Sequence, residues 1–104
     1  MTGGYLTIGT LLFVLGLVGF LTRRNLIIIF LCTELMFQGI IVTLAALARQ
    51  PPAGSAPNPD GQVFALSLLA IAAAEAALAL ALIVLLYRYQ PTLDAEAWKH
   101  LKEL

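Results

Sequence analysis

The sequence predicts an all-α membrane protein of three transmembrane helices, and three observations carry that prediction. Apolar residues make up 61% of the 104-residue chain and charged residues only 12%, against about 45–50% and about 25% in an ordinary soluble domain. One core in so short a chain cannot hide that much apolar surface, so the surplus must face lipid or other protein. The apolar residues also fall into three runs, at about 5–21, 26–47 and 63–87, each close to the ~20 residues a helix needs to cross a bilayer. Helix is the expected form because lipid offers no partner to a free backbone group, and a closed barrel needs far more strands. The whole chain, 1–104, is expected to be one membrane domain with a polar tail at 91–104.

The first run, Tyr5 to Leu21, carries no charge and is just long enough to cross straight. It could be taken for a signal peptide. No basic residue precedes it, however, and its arginines follow it, so a retained helix is expected. Gly9, Gly16 and Gly19 fall roughly on one face and predict a packing groove. Thr22-Arg23-Arg24-Asn25 then predicts a tight polar turn. The second run, Leu26 to Leu47, holds a single charge, Glu34. Cys32 inside it is expected to be a small packing residue.

Between the second and third runs, Gln50 to Gly61 holds Pro51, Pro52, Pro57 and Pro59. That density forbids a helix and predicts a stiff, ordered loop. Asp60-Gly61 supplies a turn and a start signal for the third helix, Val63 to Tyr87, whose one internal charge is Glu75. Thr10, Thr33, Thr43 and Ser67 are expected to bond back to their own helices. In the tail, Leu93, Ala97, Trp98, Leu101 and Leu104 share one helical face. A short interfacial C-terminal helix is expected there, anchored by Trp98 to the membrane surface or to a partner.

Basic residues set the orientation. Arg23, Arg24, Arg88, Lys99 and Lys102 lie on one side of the three runs and only Arg49 on the other. The positive-inside rule then puts the N-terminus outside, and the arginine turn and C-terminus in the cytoplasm.

Several function classes are excluded. Net charge is zero and no basic patch is interleaved with aromatics, so nucleic acid is not an expected partner. One cysteine cannot form an intrachain disulfide, and Cys32 and His100 are too far apart in the pattern to build a metal site. There is no phosphate loop and no nucleophile paired with a base. The chain is expected to hold no nicotinamide, flavin, iron–sulfur cluster or metal by itself. His100 reads as a solvated tail residue.

Glu34 and Glu75 decide the functional reading. A charged group at mid-membrane costs about 2.5–3.5 kcal/mol on insertion scales. Counted from the cytoplasmic ends, the two lie at comparable depth on different helices, about 12 Å and about 18 Å in. Apolar surroundings and a second carboxylate nearby both favour the protonated form of a carboxyl, and a group poised between its two forms can relay a proton. The competing reading is that each stays protonated and bonds a neighbouring helix. Ala72-Ala73-Ala74-Glu75-Ala76-Ala77 supplies the small side chains that let helices approach. Gln38, one turn from Glu34, could bond that carboxyl, hold a water or bond a neighbouring subunit. Arg23 and Arg24 read as topology determinants, or as the cytoplasmic mouth of a proton path.

The stretches Arg23-Arg24-Asn25-Leu26 and Cys32-Thr33-Glu34-Leu35-Met36 resemble the first loop and second helix of the K subunits of bacterial NADH:quinone oxidoreductase, respiratory complex I, whose mitochondrial counterpart is the 4L subunit. Asp60-Gly61-Gln62-Val63 and the run from Ala72 to Leu82 resemble that family's third helix, and Leu12 to Leu17 also fits. The resemblance covers roughly residues 5 to 90. The proline-rich loop is somewhat long, and the tail after Pro91 matches nothing in the pattern.

This resemblance implies a non-redox subunit of a proton-translocating enzyme, multi-pass in the bacterial inner membrane. It implies that Glu34 and Glu75 are the family's two intramembrane glutamates, part of a polar chain linking quinone reduction to antiporter-like subunits. Arg23 and Arg24 match a loop pair tied to coupling. The implied partners are subunits A, J and N, with flavin and iron–sulfur clusters in other subunits. Alternative readings are the C subunit of a multisubunit sodium/proton antiporter, a related membrane-bound hydrogenase subunit, and a structural helical adaptor. An ATP synthase rotor subunit fits less well, since it is a two-helix hairpin.

Overall fold

The computed structural model describes residues 2–49, 53–56 and 59–98. Three helices account for nearly all of them: α1 (Thr2–Thr22), α2 (Leu26–Ala48) and α3 (Asp60–Tyr89). All three are long and apolar enough to cross a membrane, as the hydropathy of the sequence predicts. Each helix reaches beyond its apolar run. α1 takes in Thr2-Gly3-Gly4, and α3 starts at Asp60 and runs to Tyr89 for 30 residues, about 45 Å at 1.5 Å per residue. Asp60 in its first turn suits the positive end of the helix dipole, and Arg88 in its last turn suits the negative end. The start expected at Asp60-Gly61 is therefore where α3 begins.

The turn between α1 and α2 is as tight as the sequence suggests. Asn25 is the N-cap of α2, its Oδ1 accepting the N–H groups of Ile27 at 2.9 Å and Ile28 at 3.3 Å. The hydroxyls bond back along their own helices: Thr10 donates to Leu6 O at 2.8 Å, Thr33 to Ile29 O at 3.0 Å, Thr43 to Gly39 O at 2.8 Å and Ser67 to Val63 O at 2.9 Å. Each hydroxyl is thereby satisfied without a partner helix.

α1 and α2 pack as a close antiparallel pair, and α3 lies on α2 rather than along α1. The α1–α2 seam is built on glycine, as the spacing of Gly9, Gly16 and Gly19 predicts. A Cβ on Gly16 would stand 2.6 Å from Cys32 O and 2.7 Å from Met36 Cγ. One on Gly9 would reach Gly39 O at 2.9 Å and run into Thr43, and one on Gly19 would run into Cys32 Sγ. Cys32 is thus a packing residue of this seam. Away from these contacts the surface is apolar, with Leu15, Leu21, Leu66, Leu78 and Leu85 each more than 60% exposed, which is the surface that lipid or partner helices must cover.

The proline-rich loop is described only at residues 53–56 and at Pro59, where Gly54 takes φ 81°; the stiffness expected of Pro51, Pro52 and Pro57 lies outside the described residues. The tail differs in part from expectation. After α3 it runs extended through Leu93 and then forms a single 3₁₀ turn, Ala95–Trp98. Lys99 to Leu104, on which the longer helical face depended, lie outside the described residues.

Candidate membrane-embedded carboxylate site

Glu34 sits in the middle of α2 and is half-buried; Glu75 sits in the middle of α3 and is exposed. Among the described residues neither carboxyl has a hydrogen-bond or ion-pair partner. Their relative placement follows from how α2 and α3 are joined at the other end of the pair. Gln62 Nε2 donates to Ala45 O at 3.2 Å, and Gly61 packs directly against Ala48. Fourteen residues on from Gly61 is Glu75, and fourteen back from Ala48 is Glu34. Fourteen residues are about four turns, which returns each carboxyl to within about 40° of its starting face. The antiparallel register therefore sets the two glutamates on one level of the pair.

The faces agree with that register. Glu34 shares its side of α2 with Ile41, which is buried, and with Ala45 and Ala48, which touch α3. On α3 the buried positions are Ala65 and Ala72, and Glu75 follows Ala72 by three residues, at the rim of the contact face rather than in it. Small residues at 65 and 72 let the backbones approach. The outcome is one carboxyl turned toward the α2–α3 seam and a second at its open edge. A protonated carboxyl both donates and accepts, so two of them on one level can pass a proton through bridging water.

Gln38 is exposed and makes no hydrogen bond to Glu34 among the described residues. Arg23 and Arg24 are both exposed in the turn at the end of α1. The structure does not bring them to the glutamates; Glu34 lies eight residues, about 12 Å, along α2 from Leu26.

Three features of the fold were not singled out in the sequence. Gly39 completes the α1–α2 seam, since a Cβ there would stand 2.6 Å from Gly9 O and 2.9 Å from Phe13 N; its spacing of seven from Cys32 was the available signal. Gln62 ties α3 to α2, and nothing in an apolar pattern marks it out. The tail is hydrogen-bonded to the arginine turn, with Leu26 N–H donating to Leu93 O and Ala95 N–H to Arg24 O, both at 2.7 Å. Asn25 and Asp94 thereby face each other in an isolated antiparallel bridge. Main-chain pairing of this kind has no side-chain signature.

Residues 4–103 match the model of the NADH-ubiquinone/plastoquinone oxidoreductase chain 4L family. The chain belongs to this family. Individual chain 4L relatives agree along nearly the full length. NADH-quinone oxidoreductase subunit K of Bacillus mycoides is 42% identical over 98 residues, covering 94% of this chain and 91% of the relative. The subunit of the same name from Akkermansia muciniphila is 41% identical over 99 residues, covering 95% and 94%. Most of each chain is therefore covered, and the family match, reaching residue 103, extends into the tail past Pro91.

Proposed function

We propose that this chain is a membrane-arm subunit of a proton-pumping NADH:quinone oxidoreductase, and that Glu34 and Glu75 carry protons or proton-linked charge through it. The observation that carries the reading is the pair of carboxyls with no partner among the described residues, set at one level on adjacent membrane-length helices. A carboxyl kept only to hold this chain's own fold is expected to be satisfied within it. Glu34, in the seam, is the inner relay group, and Glu75, at the open edge, hands over to a neighbouring subunit. Membership of the chain 4L family supports the assignment to this enzyme. By resemblance the neighbours are subunits A, J and N, and Gln38, unengaged within the chain, is available to bond one of them.

Orientation belongs to the same reading. The arginine turn and the tail are on one end of the molecule, joined by hydrogen bonds, and Arg49 is on the other. With the basic end cytoplasmic, the N-terminus is outside, in the bacterial inner membrane. Arg23 and Arg24 then stand at the cytoplasmic mouth of the path. The chain's one thiol, Cys32, is turned into the seam against Gly16 and Gly19, a packing position rather than an iron ligand. By resemblance, electron transfer is assigned to flavin and iron–sulfur centres in partner subunits, and this chain to the proton side.

The experiment uses the complex recovered through a tag on this chain, reconstituted in vesicles. Glu34→Gln and Glu75→Gln are each expected to lower coupled proton uptake by roughly 10²-fold, the scale on which a positioned proton-transfer group acts. NADH oxidation by a soluble artificial acceptor should be unchanged. Wild-type pumping in both variants would identify the glutamates as structural. Recovery of antiporter-like subunits without flavin or iron would assign the same carboxyls to ion exchange instead.

A further inference from the structure

The helix pair that carries the two glutamates is held at both ends. At the Arg49 end, Gln62 bonds the Ala45 carbonyl and Gly61 packs against Ala48. At the basic end the tie is made by the tail. The bonds Leu26 N–H to Leu93 O and Ala95 N–H to Arg24 O, 2.7 Å each, flank the facing residues Asn25 and Asp94. This is the close, non-hydrogen-bonded type of antiparallel pair, with Cα atoms about 4.5 Å apart. The tail is shaped to present these groups. Asp94 N–H donates to Thr92 Oγ1 at 3.1 Å, and Glu96 N–H donates to Asp94 Oδ1 at 3.0 Å. Asp94 thus turns the chain immediately after the bridge, and Pro91, which cannot continue a helix, frees it from α3 immediately before.

We propose that Thr92–Ala95 is a strap that positions the arginine turn against the end of α3, with Asp94 and Ala95 as positioning residues for coupled turnover. The proposal rests on the proton-path reading of the glutamates and arginines. Among the described helices α3 leans chiefly on α2, so its carboxyl keeps its level opposite Glu34 only while both ends of the pair are fixed. One end is fixed by Gln62 and Gly61. The other is fixed by two main-chain bonds that cross from the tail to Arg24 and Leu26, the residues on either side of the α2 N-cap. Losing the strap frees the arginine turn and lets α3 slide or swing about its Gln62 end.

The test is made in the assembled complex. In a Cys32→Ala background, Asn25→Cys with Asp94→Cys places two thiols at a separation a disulfide spans. Mild oxidation is expected to join them in most chains, seen as a linked peptide by mass, and to leave the ratio of protons moved per NADH oxidised at the level of the reduced form. Failure to link overturns the strap, and so does linkage that stops pumping. Ala95→Pro deletes the N–H that bonds Arg24, and Ala95→Gly keeps it. Ala95→Pro is expected to lower that ratio by about twofold or more, as displacement of reacting groups does, without slowing NADH oxidation by an artificial acceptor. Ala95→Gly should leave the ratio unchanged. Adding the oxidised cysteine pair to Ala95→Pro should restore it, and reduction should abolish the rescue. Should Ala95→Pro prevent assembly, the disulfide result alone decides. Full coupling in an Ala95→Pro complex overturns the proposal. Arg23→Ala with Arg24→Ala separates the two readings: full coupling there, with loss in Ala95→Pro, leaves the strap standing and removes the arginines from the path.

Discussion

Glu34 and Glu75 are costly side chains with nothing among the described residues to offset them. Each charge placed at mid-membrane costs about 2.5–3.5 kcal/mol on insertion scales, and among the described residues neither carboxyl gains a hydrogen bond in return. A residue that weakens its own subunit and is kept for work with others has a diagnostic behaviour. Glu75→Ala in the isolated chain is expected to insert more readily into membranes and to unfold in detergent no more easily than wild type. In the complex the same variant should lose coupled pumping. Insertion is read from a glycosylation-tagged translation assay, and stability from denaturant unfolding of the purified chain. Destabilisation of the isolated chain by more than about 1 kcal/mol, the worth of a typical hydrogen bond, would mean that Glu75 has a partner within its own fold. The exposure of Gln38 points the same way, since a lone amide in lipid needs a donor or acceptor from another helix.

At the scale of the elements, the α1–α2 pair depends on the absence of side chains. Gly39→Ala would bring a Cβ to 2.6 Å from Gly9 O, 2.9 Å from Phe13 N and 3.2 Å from Phe13 Cβ. Two of these are backbone atoms that cannot rotate away, so the helices must separate. The expected cost is about 1–3 kcal/mol, that of an overpacked core. Gly4→Ala, which meets nothing within 4 Å, should be neutral or gain up to about 1 kcal/mol of helix propensity. Unfolding of both variants in detergent checks this, and equal stability would show that the seam is looser than described. The sequence announced half of this seam. Gly9, Gly16 and Gly19 recur at helical spacing in a run without charge, so their common face could be read directly. Gly39 lies alone in α2, and only its partner across the seam gives it meaning. The three spans and the two glutamates were legible for a related reason: a bilayer imposes a length and a polarity on each residue singly. Helix register, the Gln62 tie and the tail bridge are pairwise properties, and pairing between distant backbones leaves no mark in composition or period.

At the scale of the whole molecule, the two ends differ in charge, and on the proposed reading that difference sets which way the proton path runs. The basic end gathers the arginine turn, Arg88 and the strap, and hydrogen bonds between turn and tail hold those parts together on one side. Sequence alone put Arg23, Arg24 and Arg88 on that side by counting crossings, and the bridge between Asn25 and Asp94 requires the same of the structure. A chain with the opposite crossing order could not make this bridge without sending Leu93 through the bilayer. What the bridge does not set is which compartment the basic end faces, and there the positive-inside rule gives the direction. In a Cys32→Ala background, Ala53→Cys probes the Arg49 end and Gln90→Cys the basic end, both at exposed positions. A membrane-impermeant maleimide added to intact cells is expected to label Ala53→Cys and to reach Gln90→Cys only after the membrane is opened. The reverse pattern would put the arginines outside. Glu34, about 12 Å from the arginine turn and about 21 Å from Ala48, would then receive its protons from the far side, and Arg23 and Arg24 could not be the cytoplasmic mouth of the path. Labelling of both positions in intact cells would mean that the chain does not hold one orientation. The direction of the path would then be set by its partners rather than by its own charges.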